Sequence, residues 1–148
     1  MLSDAELQRL CSEIERALTN ACLTEVSEKF LFDSVRMPDI TLAAYAAWLY
    51  THLKLDEVHL LLALEYVDRY LKAAGPVLSL ESAHRLLGTA VVLAHKFDCD
   101  YPHTERVYGR VVGVSTRELH FLQFAFLEKI QYRLMYPDKF GLVWVRSA

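Results

Sequence analysis

Apolar residues recur every three or four positions along most of the chain, and no stretch keeps the two-residue alternation of a half-buried strand. Leu7, Leu10, Cys11, Ile14, Ala17, Leu18, Ala21 and Cys22 form one such stripe and predict a helix over about 3–22, with Ser3 and Glu6 spaced as a capping box. FDSVRMPD, Phe32 to Asp39, has no period and contains Pro38, so it reads as a connection. A second helix is expected from near Thr41 through Leu42, Tyr45, Ala46, Leu49 and Leu53. Asp56 is placed to cap a third, which holds LALEYVDRYLKAAG and stops at Gly75-Pro76. Ser79 is placed to cap a fourth. From Leu86 to Phe97 that helix is apolar almost all round, so it should be enclosed by others, with Gly88, Ala90 and Ala94 allowing close approach. After the DCDYP turn comes a short helix around 104–112, ended by Gly113. Ser115 with Glu118 makes a second capping box at the start of a long last helix. The pattern predicts an all-α fold in which a five-helix bundle carries an additional N-terminal helix.

Composition narrows the role. At 148 residues the chain fits one domain, 1–148, and shows no internal repeat of about 20–50 residues. Its 53% apolar content exceeds the average of about 45–50%, which suggests apolar surface kept for a partner. A net charge of -3 and a pI near 6.1 argue against nucleic acid as that partner. No charge-free run of about 18 apolar residues predicts a membrane span. The polar, acidic N-terminus is unlike a signal peptide. The three cysteines lack metal-type spacing, and Cys11 and Cys22 share the first stripe as core. An intracellular protein is expected, cytoplasmic and/or nuclear, since no basic import cluster separates the two.

Candidate chemistry is sparse. There is no G-x-G-x-x-G, phosphate-binding loop, H-E-x-x-H or C-x-x-C. His84 and His95, eleven apart on one helix, lack further metal ligands, and packing or surface roles fit them better. Asp98, Asp100 and His103 crowd one turn, where acidic residues more commonly form and cap turns than bind metal. No catalytic residue, metal, cofactor or small-molecule substrate is therefore expected. Asp68 and Arg69, opposite charges in an otherwise greasy helix, are the feature that asks for an explanation.

A series of landmarks supplies one. Phe32, Ser34, Pro38, Ile40-Thr41-Leu42 and Tyr45 are followed by Tyr66-Val67-Asp68-Arg69. Ala94-His95-Lys96-Phe97 then precedes the acidic turn from Asp98 to Asp100. Gly113-Val114-Ser115, Glu118-Leu119, Leu122 and Phe126-Leu127 complete the set. In this order and spacing, over about 5–134, they resemble the cyclin box, and most of all the single-box phosphate-signalling (P-type) cyclins. The resemblance places the box at about 38–134, with a short tail over 135–148. Tandem-box and DNA-binding relatives fit less well, given the acidic balance and the roughly fourteen residues after the last helix.

The resemblance implies a non-catalytic regulatory subunit that binds and activates a cyclin-dependent protein kinase by packing against its mobile regulatory helix. It implies that Asp68 is structural, because the family pairs this Asp with an Arg on the first helix of the box. Trp48 stands where that Arg is usual, so Asp68 needs another donor: the Trp48 indole, Arg69 or an Arg elsewhere. Alternatively, Asp68 and Arg69 reach solvent. Lys96 matches the lysine that bonds carbonyls of the kinase. The glutamate that the family pairs with it is replaced here by Gln123, and Glu128 lies about 140° further round the helix. Leu93, Phe97, Leu127, Tyr132 and Leu134 match the apolar part of the interface, although Leu93 and Leu127, taken individually, read better as core. An adaptor of the same fold that activates no kinase is the competing reading, and cell-cycle and nutrient-signalling roles both stay open.

Overall fold

A computed structural model describes residues 2–21, 40–74 and 80–136, and among these all regular structure is helical. The helices are α1 (Asp4–Ala21), α2 (Leu42–Leu53), α3 (Glu57–Ala74), α4 (Leu80–Asp98), α5 (Glu105–Val112) and α6 (Thr116–Lys129). The Phe32–Asp39 connection, its landmarks, Cys22, the Gly75-Pro76 stop, the Ser79 cap and the tail beyond 136 lie outside the described residues.

The helix ends follow the capping chemistry of the sequence. Ser3 and Glu6 exchange both bonds of the capping box, at 2.9 and 3.2 Å. Thr41, Thr104 and Ser115 accept from the N–H three residues on, and Gly113 ends α5 at φ 96°, a left-handed conformation open to glycine. The second capping box forms only by half. Glu118 turns away from Ser115 to an ion pair with Arg85 of α4, because a cation on the neighbouring helix outbids a backbone N–H.

α4 is the axis of the bundle. Its Leu86, Leu87, Ala90, Val91, Val92 and Ala94 are fully buried, which is why nearly every face of this helix is apolar. Gly88 is required by close approach: a Cβ there would stand 2.7 Å from the Tyr45 hydroxyl and 2.9 Å from Val112. That hydroxyl donates to the Val112 carbonyl at 2.7 Å, joining α2 to the end of α5. His84 is buried on α4 and donates from Nε2 to Ile40 O, at 2.6 Å.

α1 lies along α2 through Leu10, Cys11, Ile14 and Leu18, the stripe read from the sequence. Glu15 Oε2 accepts from the Ala43 N–H at 2.9 Å, so α1 satisfies one of the free donors at the start of α2. The Tyr50 hydroxyl in turn accepts from the Leu2 N–H.

Candidate functional site

At the C-terminal end of α4 two consecutive side chains part company, as the roughly 100° step of a helix allows. His95 turns inward and Lys96 outward.

The inner cluster joins α3, α4 and the turn before α5. His59 Nδ1 accepts from the Asp56 N–H at 3.0 Å, so its proton sits on Nε2 and is donated to Asp98 Oδ2, also at 3.0 Å. The Tyr108 hydroxyl accepts from the His103 N–H at 3.1 Å and donates to His95 Nδ1 at 2.6 Å. His103 stacks on His95 with ring centroids 5.0 Å apart and donates from Nε2 to Leu53 O. Burial, then repulsion from His59 and His103, pushes the His95 imidazole down to about 4. Of the turn residues considered as metal ligands, Asp98 thus gives Oδ2 to His59 and His103 gives Nε2 to Leu53 O. Among the described residues no three His, Cys, Asp or Glu side chains converge on a point that could hold a metal ion.

The outer cluster is charged. Lys96 Nζ forms an ion pair with Glu105 and donates to Gln123 Oε1 at 2.8 Å. Gln123 Nε2 donates back to Glu105 Oε2 at 2.8 Å, closing a ring of three side chains from α4, α5 and α6. The ammonium also lies 5.4 Å from the centroid of the Tyr108 ring, whose face attracts a cation. Burial pulls the Lys96 ammonium below its ordinary value, yet about 30% of its side chain and of Glu105's meets solvent. Glu105 is the member that sequence reasoning missed. As the first residue after the Thr104 cap it reads as a favourable charge at a helix start, and no local spacing ties it to Lys96.

The apolar candidates divide. Leu93 is core, while Leu127 and Leu134 are partly buried against it. Phe97 is 38% and Tyr132 61% exposed, and the edge of Phe97 meets Tyr136 at 5.7 Å between centroids. Tyr132 owes its position to an unusual backbone. Gln131 and Tyr132 both take φ 57°, and each such non-glycine residue costs about 1–2 kcal/mol. Tyr132 N–H closes onto Leu127 O at 2.8 Å.

The Asp68-Arg69 pair is resolved by splitting it. Asp68 pairs with Lys72 one turn on, at 2.9 Å, with 29% of its side chain exposed; such surface pairs contribute about 0.3–0.5 kcal/mol. The donor is thus Lys72, and the Trp48 indole, one of the three donors considered for Asp68, bonds elsewhere. The indole donates to Val111 O at 2.9 Å and stacks on His52, tying α2 to α5 instead. Arg69 reaches the chain after α6, donating to Arg133 O at 2.6 Å and Met135 O at 2.9 Å. Tyr66 OH donates to the carbonyl between them, Leu134 O, at 2.7 Å.

No helix among the described residues is long and apolar enough to cross a membrane. A family model described as Cyclin matches residues 5–134. Cyclin-P3-1 of Oryza sativa subsp. japonica is 35% identical over 104 residues, 70% of this chain and 44% of that protein. Cyclin-U4-1 and Cyclin-U3-1 of Arabidopsis thaliana are each 30% identical, over 84% and 86% of this chain and 62% and 60% of theirs. The chain therefore spans about half the length of these relatives, from 44% to 62%. The family match, the P-type relative and the six-helix architecture agree with the landmarks, from Tyr66-Val67-Asp68-Arg69 to Lys96-Phe97: the chain is all-α and belongs to the cyclin family.

Proposed function

We propose that this chain is a regulatory subunit that docks on the mobile regulatory helix of a cyclin-dependent kinase and activates it, itself making and breaking no bond. The observation that carries the reading is the Lys96–Glu105–Gln123 ring, with Phe97 exposed next to Lys96 in the chain and Tyr132 exposed after α6. An ammonium has three N–H groups, and the ring uses two of them. The third is available to a carbonyl at the end of a partner helix, in a charge-assisted bond of about 1.5–3 kcal/mol. Glu105 supplies the negative charge that Gln123 lacks, and so holds the ammonium extended before a partner arrives. Burying Phe97 and Tyr132 against the kinase helix would favour its inward position, in which a Lys–Glu pair of the kinase positions ATP.

The test is co-expression with each cyclin-dependent kinase of the same organism, followed by gel filtration and a kinase assay. Native protein should co-elute and raise activity. Lys96→Glu, which sets two carboxylates against each other, should weaken binding about a hundredfold, and Tyr132→Ala about tenfold. A complex without any rise in activity would favour the adaptor reading. If no kinase co-elutes, the proposal fails.

A further inference from the structure

The chain that leaves α6 carries Tyr132 and Leu134, and three consecutive carbonyls of it are held by two α3 side chains one helical turn apart. Arg69 takes Arg133 O and Met135 O, and Tyr66 takes Leu134 O between them. The Arg69 guanidinium also sits 5.8 Å from the Tyr66 ring centroid, which orients the fork. Residues 133–136 have no helix or strand ladder to hold them, and they follow two residues in a conformation that non-glycine chains avoid. A turn of that kind persists only where its surroundings over-determine it. The N–H groups of Gln131, Tyr132 and Arg133 close back onto the end of α6, and Arg69 and Tyr66 hold the carbonyls that follow. We infer that Arg69 and Tyr66 are positioning residues for the kinase-docking surface: they clamp the segment after α6 so that Tyr132 is presented outward with its backbone already fixed.

This rests on the kinase-binding reading and adds to it two residues that touch no partner. A preorganised segment gives up less freedom on binding, so losing the clamp should weaken the complex without removing a contact. Arginine is needed as a fork, since one guanidinium reaches two carbonyls in different directions and an ammonium on a shorter reach does not.

The experiment combines hydrogen exchange on the free protein with kinase affinity, for the native chain, Arg69→Ala, Arg69→Lys and Tyr66→Phe. In Arg69→Ala the Tyr132 and Arg133 amides, bonded to Leu127 O and Ile130 O, should exchange about tenfold faster or more, while α4 core amides keep their protection. Kinase affinity should fall about tenfold, with Tyr66→Phe milder and Arg69→Lys recovering only part of the loss. Unchanged exchange at Tyr132 in Arg69→Ala would overturn the clamp. Faster exchange with native affinity would overturn its positioning role. Native protein that binds no kinase would instead overturn the docking reading, and the positioning role with it, and is told apart by the native control.

Discussion

His95 and Lys96 are neighbours in sequence, and the clusters they anchor have opposite characters. Around His95 the hydrogen bonds run to Asp56, Asp98, Leu53 and Tyr108, and burial keeps the imidazole neutral. Around Lys96 two charged, part-exposed side chains, Lys96 and Glu105, close on the buried amide of Gln123, and the ammonium has a donor to spare. One cluster consumes its polarity to fix where α3, α4 and α5 meet; the other displays it. Tyr108 touches both, its hydroxyl bonded to His95 and its ring under Lys96. The contrast teaches that one helix end can bury polarity and display it at once, provided consecutive residues face opposite ways.

Acid should break the contrast most. The native His95 imidazole titrates near 4 against an ordinary 6.5, so the unfolded chain binds more protons between those values. Stability is then full above about pH 6.5 and falls as pH drops towards 4, by up to about 3 kcal/mol. Repulsion from His59 and His103 is part of that lowering, and Asp98 and Asp56 oppose it. Urea unfolding midpoints from pH 7.5 to 4.5 would measure it, and His95→Leu should flatten that slope. Tyr108→Phe comes next. It keeps the ring under Lys96 but strips the bonds to His95 and the His103 N–H, so unfolding should become easier by about 2 kcal/mol with kinase binding little altered. The smallest effect sharpens the comparison on the outer side. Glu105→Gln combined with Gln123→Glu moves the carboxylate across the ring, and should bind kinase within about threefold of native, whereas Glu105→Gln alone should lose about tenfold. Equal losses in both would mean that the charge matters less than its place.

What the sequence revealed and what it concealed divide along chain distance. The helices, the caps at Ser3 and Ser115, and the stop at Gly113 rest on partners within four residues, and these were readable. Gly88 was readable too, because a glycine in an apolar helix has few other uses. The bonds that define the site cross between helices. Glu105 meets Gln123 eighteen residues away, Trp48 meets Val111 sixty-three away, and Arg69 meets Arg133 sixty-four away. No periodicity encodes such pairings; they follow from how the helices cross. The family resemblance brought Lys96 and Gln123 into view together, but it gave no hint of Glu105, which bonds both.

Cys11 gives the N-terminal helix a chemical clock. Burial among Leu10, Ile14 and Leu18 pushes its thiol up to about 11, and only the thiolate reacts with an alkylating reagent. At neutral pH the sulfur is therefore both shielded and protonated while α1 lies on α2. Its labelling rate counts how often that helix lifts, and a bound partner that grips α1 would be seen as a slower clock.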